Sequence, residues 1–323
     1  RISSSKEKML FFVFATLAVS AFADECTDKG GRCVGIFDEC DGTLDTSVCG
    51  FLEACCLSKD VGPVEPTNPI PQGSCGQKSF SKIVGGEDAQ EGAWPWQGSF
   101  QIASSGSFRH ICGSILIYDD WVLTAAHCVN VDEGVDSYQV VFGDHVLSDN
   151  SGKEQVRKIA KIIPHPDYDL YGAGIPNDIA LVKLTTPVSR NNNVGVGCLP
   201  DLLSQDFYGN SECFITGWGK TDGEAEGIPD TLQEVNIAVR SKDECQEQWG
   251  YFQTILDSHI CLGDGFPTAC NGDSGGPVQC KVGNKWYVAG ITSWGFRGCT
   301  TMPAVYTRIS FHLNWVYNTI NAN

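Results

Sequence analysis

Along most of this chain the apolar residues come in short runs rather than in a helical rhythm. "SILIYDDWVLTA" (114–125), "YQVVFGD" (138–144), "DIALVKL" (178–184), "ECFITGWG" (212–219), "EVNIAVR" (234–240), "KWYVAGITSWG" (285–295) and "PAVYTRI" (303–309) are rich in β-branched and aromatic residues. Gly, Asn, Asp and Pro break the chain between them. This spacing predicts many short strands, hence an all-β barrel or sandwich. One segment departs from it. "SFHLNWVYNTI" (310–320) sets Phe311, Leu313, Trp315, Val316 and Ile320 along a helix, with Ser310 as its N-cap.

The front of the chain follows other rules. Residues 9–20 form an apolar run followed by Ala21-Phe22-Ala23, the pattern of a signal-peptide core and its cleavage site. The run is shorter than the roughly 20 residues a bilayer span needs, so a secreted chain beginning near Asp24 is expected. "RISSSKEK" (1–8) is either a basic leader end or lies upstream of a start at Met9. Cys26, Cys33, Cys40, Cys49, Cys55 and Cys56 then crowd a segment too small for a core without disulfide staples. Residues 61–74 carry Pro63, Pro66, Pro69 and Pro71 and no apolar period, so they read as an extended linker. The division expected is leader and signal peptide 1–23, disulfide-rich module 24–57, linker and activation segment 58–82, and a large β domain 83–323.

Composition narrows the chemistry. With 323 residues and 42% hydrophobic content the chain can bury a core. Sixteen cysteines point to an oxidising compartment. CxxC and clustered-His spacings are absent, which speaks against zinc. A net charge of −17 excludes partners that need a basic face, nucleic acid and anionic membrane among them.

A serine becomes a nucleophile at neutral pH only with a base in reach and an acid orienting that base. "LTAAHC" offers His127, "NDIALVKL" Asp178 and "GDSGGP" Ser274. Taken singly, such a His is more often core or surface, and such an Asp a paired structural acid. Together with "KIVGG" (82–86), "WPWQ" (94–97), "ITGWG" (215–219) and "SWG" (293–295), in His, Asp, Ser order, the chain from Cys75 onward resembles the chymotrypsin and trypsin family of serine proteases.

That resemblance implies two packed antiparallel six-stranded β-barrels and a C-terminal helix. It casts Ser274 as nucleophile, His127 as base and Asp178 as orienting acid, with the N–H groups of Gly272 and Ser274 as the oxyanion hole. Ser293 would lie beside Asp178, and Ser293, Trp294 and Gly295 would pair with the substrate backbone. Cleavage after Lys82 would free the Ile83 ammonium to reach Asp273. The implied disulfides are Cys112–Cys128, Cys213–Cys280, Cys245–Cys261, Cys270–Cys299 and Cys75–Cys198, the last tethering the N-terminal module after cleavage.

The six-cysteine module resembles the clip modules of arthropod serine proteases. Clip pairing would join Cys26–Cys55, Cys33–Cys49 and Cys40–Cys56, although spacing alone allows fifteen connectivities and the gap between the third and fourth cysteines is short for a clip. A stapled propeptide that only tethers is the alternative.

The family's specificity pocket would be framed by Thr268, Gly295 and Ala304. Thr268 stands where trypsin-like members carry an Asp, so a substrate Lys or Arg is disfavoured. Preference for Phe, Tyr, Leu or Met is expected, with small apolar residues as runner-up. Calcium-binding relatives use acids at the positions of Asp144 and Glu154, but Ser151 replaces a middle ligand; solvated surface acids are the simpler reading, and no cofactor is expected.

Expected partners are protein or peptide substrates, a separate trypsin-like activator and protein protease inhibitors. The chain would be a monomer. Competing readings are a catalytically dead homologue, and an immune or clotting protease rather than a digestive one.

Overall fold

The computed structural model describes residues 31–35, 43–45, 53–57, 65–67, 69–78, 87–220, 225–264, 269–296, 299 and 302–323. The chain divides into two compact units, Arg1–Pro66 with Asp201–Gln205, and Thr67–Pro200 with Asp206–Asn323. In the first, β1 (Gly31–Gly35), β2 (Thr43–Asp45) and β3 (Glu53–Leu57) form an antiparallel sheet in the order β1-β3-β2. Cys33 lies opposite Cys55 and Arg32 opposite Cys56. The side chains of this sheet, and hence the pairing of the six N-terminal cysteines, lie outside the described residues.

In the second unit the apolar runs build two sheets. After β4 (Glu87–Asp88), a closed barrel in the order β10-β7-β6-β5-β8-β9 is made by β5 (Gln97–Ser104), β6 (Ser107–Tyr118), β7 (Trp121–Thr124), β8 (Tyr138–Phe142), β9 (Gln155–Pro164) and β10 (Ala180–Leu184). Phe100, Ile115, Leu116, Ile117, Leu123, Leu181 and Phe142 on its strands are buried with almost no exposure. Closure leaves the barrel without a free edge.

The second sheet is the barrel-like partner the resemblance implies, its six main strands extended by two short ones. It has eight strands, β13-β14-β17-β16-β15-β11-β12-β4, from β11 (Cys213–Gly217), β12 (Gln233–Asn236), β13 (Val239–Arg240), β14 (His259–Leu262), β15 (Pro277–Val282), β16 (Lys285–Trp294) and β17 (Ala304–Arg308). The two edge strands, β13 and β4, are two residues long. Six longer strands remain, joined across the gap by the chain itself. Between β12 and β13 the Ile237 N–H donates to Cys213 O on one side, and Ala238 O accepts from Gly263 N–H on the other. The sheet therefore curls shut through a corner rather than through a ladder.

Helix α1 (Lys242–Trp249), which the apolar pattern did not predict, opens on a capping box in which Ser241 and Glu244 satisfy each other's backbone N–H. Helix α2 (Ile309–Asn321) follows β17 with no loop between. Its N-cap is consequently Arg308 rather than Ser310, whose hydroxyl is buried without a partner.

Part of the expected linker is fixed to the second unit. Gln72 Nε2 donates to Ile117 O and Gly197 O, both 2.8 Å, while its Oε1 accepts from Leu199 N–H, and Tyr118 OH donates to Ile70 O. Prolines offer no N–H, so a side chain does the fastening. No helix among the described residues is long and apolar enough to cross a membrane.

Candidate active site

His127 sits in a 3-10 turn (Ala126–Cys128) directly after β7. Ala126 and Cys128 are buried, and the Cys112–Cys128 disulfide ties the turn to β6. Asp178 lies just before β10, in a stretch that neighbouring residues hold rigidly. Asn177 adopts φ +57°, a conformation Asn tolerates better than most residues. Its side chain bridges Asp167 O (3.1 Å) and His312 Nε2 (3.1 Å), while Thr307 Oγ1 donates to Asp178 O at 2.8 Å.

The Asp178 carboxylate is 1% exposed and reaches His127 twice: Oδ2 lies 2.7 Å from Nδ1, and Oδ1 accepts the His127 backbone N–H at 2.9 Å. Ser293 Oγ donates to Oδ2 at 2.5 Å. Burial by itself would raise the pKa; the hydrogen bond and charge of His127 and the Ser293 hydroxyl outweigh it and hold the carboxyl below its ordinary value. An ionised carboxylate only accepts, so Nδ1 carries the ring proton and Nε2 keeps a lone pair.

Ser274 occupies a tight turn that only glycines permit. A side chain on Gly275, at φ +77°, would come within 2.2 Å of Thr124 Oγ1 and 3.2 Å of Ala125 N. The serine turn is thereby pressed against the start of the His127 turn. Backbone bonds from Gly113 N–H to Ser274 O (2.7 Å) and from Gly275 N–H to Thr292 O (2.9 Å) fasten it to both sheets. The structure joins His127 to Asp178 and brings no hydrogen bond between His127 and Ser274 Oγ; such bonds commonly tighten only with substrate bound. Among the described residues, the N–H groups of Gly272 and Ser274 take no acceptor.

Asp273 points the opposite way from its neighbour. Its carboxyl accepts from Gly219 N–H (2.8 Å) and Cys270 N–H (2.9 Å) and lies so close to Gly217 and Gly219 that a methyl on either would clash. Burial pushes its pKa up to about 6 despite these two bonds. Sequence reasoning missed the group that steadies the turn from the other side. His110 Nε2 lies 3.2 Å from Gly272 O, and its Nδ1 2.9 Å from Ser99 Oγ. Since a carbonyl can only accept, Nε2 bears the proton and Ser99 donates to Nδ1. The single sequence cue was a histidine two positions before Cys112.

Of the expected pocket residues, Gly295 and Ala304 face each other: a methyl on Gly295 would meet Ala304 Cα and Cβ at 3.9 Å. Trp294, next to them, stacks edge-on against Trp249 at 5.0 Å and donates from Nε1 to Gly174 O. Thr268, Lys82 and Ile83 lie outside the described residues. Among the described residues, five disulfides join Cys75–Cys198, Cys112–Cys128, Cys213–Cys280, Cys245–Cys261 and Cys270–Cys299.

In the acidic loop, one Asp144 oxygen is buried without a partner. Burial, with the charges of Glu154 and Asp230, pushes the pKa of Asp144 up to about 6. Glu154 instead accepts from Ser151 N–H, Ser151 Oγ and Gly152 N–H.

Comparison with known proteins agrees with this geometry. The family described as Trypsin matches residues 83–316. Chymotrypsin-like elastase family member 1 of Homo sapiens is 38% identical over 247 residues, covering 75% of this chain and 94% of its own length. With the hydrogen-bonded His127–Asp178 pair in place and the match running over most of the chain, the protein belongs to the trypsin family of serine proteases.

Proposed function

We propose that the chain is a secreted zymogen of a serine endopeptidase with Ser274, His127 and Asp178 as its working residues. The observation that carries this is the buried, ionised Asp178 fixing His127 so that Nε2 is free to act as base. Ser274 Oγ attacks the scissile carbonyl as its proton passes to Nε2, and the tetrahedral oxyanion takes the free N–H groups of Gly272 and Ser274. The His127 proton then goes to the leaving amine as the C–N bond breaks, and water repeats the sequence on the acyl-enzyme. After limited cleavage by trypsin, an organophosphate should label Ser274 and leave Ser274→Ala unlabelled; an unreactive serine would favour the dead-homologue reading.

Activation by a cut after Lys82 is supported by Asp273, whose desolvated carboxyl is held by two N–H groups and, among the described residues, by no cation; the Ile83 ammonium would complete it. Lys82→Gln should leave an intact, inactive protein. A neutral Thr268 disfavours lysine in the pocket, so the activator is a separate trypsin-like enzyme. Purified proenzyme should not activate itself, and spontaneous cleavage abolished by Ser274→Ala would refute this.

For specificity, the neutral pocket favours Phe, Tyr, Leu and Met. The Ala304 methyl, facing Gly295, favours a second, elastase-like reading with smaller apolar residues, in keeping with the name of the human relative. Turnover of a peptide panel separates the two, and fastest cleavage after Arg would defeat both. The N-terminal module, whose three-stranded sheet suits a stapled clip-like unit, favours a regulated cascade role over digestion. No cofactor enters this reaction. Calcium, if bound, would take Asp144 and Glu154 as ligands and serve the loop rather than the chemistry.

A further inference from the structure

Four residues before the proposed activation bond lies a second lysine, and it is buried. The Lys78 side chain is 5% exposed, and its ammonium lies 3.7 Å from the centre of the Trp94 ring and 5.6 Å from those of Phe214 and Trp286. The three rings brace one another edge-on or tilted at 5.0 to 5.7 Å. Glu234 Oε2, 6% exposed and fixed by Trp94 Nε1 at 2.6 Å, sits 3.7 Å from the ammonium. Among the described residues nothing hydrogen-bonds to the Lys78 Nζ. Ring faces and one carboxylate meet the ammonium here, although burial, which outweighs the Glu234 charge, lowers the Lys78 pKa from its ordinary value.

The backbone leading to it is fixed as well. Cys75 is bonded to Cys198, Gly76 N–H donates to Val196 O at 2.8 Å, and Gly76 O accepts from Trp286 N–H at 3.0 Å. Beyond the lysine, the next described residue is Glu87, which pairs across the sheet with Glu234 itself. The eight residues 79–86, with the Lys82–Ile83 bond at their midpoint in sequence, thus begin and end at one glutamate.

We infer that the Trp94–Phe214–Trp286–Glu234 box hides Lys78 from lysine-directed proteases, so that processing of the proenzyme is confined to Lys82. A protease of that kind must draw the lysine side chain into its own pocket and hold several flanking residues extended in its cleft. Lys78 offers a buried side chain, and the backbone just before it is held at Cys75 and Gly76. A cut there would leave Lys78 on the tether and make Ser79, not Ile83, the new N-terminus. The inference rests on the activation reading for its purpose, while its physical content, the inaccessibility of Lys78, can be measured separately.

The test is limited digestion of the full-length proenzyme with a lysine-specific endoprotease, each cut located by mass spectrometry. Wild type should be cut after Lys78 at least about 30-fold more slowly than after Lys82. Glu234→Gln, which keeps the volume and an acceptor for Trp94 but removes the counter-charge, should bring the two rates within about tenfold. Trp286→Leu, at the rim of the box, should act in the same direction. Equal cutting at both lysines in wild type, or no gain at Lys78 in either variant, overturns the inference. Failure to cut after Lys82 overturns the activation reading instead, because the signal for the box is the Lys78 cut alone. Acetylation of the native chain gives a protease-free readout: Lys78 should react at least about tenfold more slowly than the exposed Lys285, and equal rates would refute burial.

Discussion

Asp178 and Asp273 are two aspartates of the candidate site whose carboxyl groups both lose hydration, and the protein treats them in opposite ways. Asp178 faces His127 and Ser293 and is held below its ordinary pKa; Asp273 faces two backbone N–H groups and is pushed up to about 6. Both lose hydration, so burial alone does not separate them. A cation-forming partner does. Asp178 has such a partner in His127; among the described residues Asp273 has none, and on the proposed activation reading the Ile83 ammonium would supply it.

The largest effect that breaks this contrast should come from Asp178→Asn in the cleaved enzyme. Reversing the hydrogen-bond polarity at Nδ1 favours the wrong imidazole tautomer and should lower kcat by about 10⁴, and a loss under tenfold would remove Asp178 from its role. Asp273→Asn should act differently in the two forms. On the proposed activation reading it would unseat the Ile83 ammonium in the cleaved enzyme, and with it the turn carrying the proposed oxyanion donors, for an expected loss of about 10²–10³. In the uncleaved chain it should stabilise.

The sign follows from proton linkage. Folded Asp273 keeps a proton that the unfolded chain releases, so uncleaved protein loses stability as pH rises from about 4 to about 6. Asp178, with its pKa depressed, contributes stability above the unfolded value and loses it as pH falls. His259 and His312, held neutral by burial with pKa values of about 4 and about 3, also lose stability as pH falls below the unfolded value near 6.5. The readout is therefore the difference between wild type and Asp273→Asn in urea midpoint, opening to at most about 3 kcal/mol above pH 6. No difference, or one growing toward acid, would refute the unpaired acid.

Smaller effects sharpen the picture. Ser293→Ala removes one donor to Asp178 and should cost about tenfold or less in kcat, with KM barely moved. Smallest of all, calcium should raise the melting temperature by a few degrees at most, in wild type and not in Asp144→Asn; an equal rise in both would place any ion elsewhere.

Much of this was legible from local pattern. The strands of the barrel and the second sheet follow apolar runs, and the glycines of "GDSGGP" announce a turn that side chains would block. Helix α1 was not, because only Cys245 and Trp249 of its eight residues are buried; its cue was the Ser241–Glu244 capping box, a local signal unrelated to periodicity. The corner at Ile237–Ala238 lay hidden inside "EVNIAVR", which reads as one strand. His110 and Lys78 were invisible for a different reason. Each acts through partners 162 or 156 positions away, Gly272 and Glu234, and no window of sequence contains both ends.

That separation gives the lysine box a place in time. During synthesis Lys78 emerges long before Trp286, by about 10–40 s at about 5–20 residues per second. Throughout that interval Lys78 and Lys82 are chemically alike, and either is open to attack. Protection arrives only when the last wall is folded into place. A fragment cut after Lys78 would therefore be a record of age, marking chains that met a protease before they were finished.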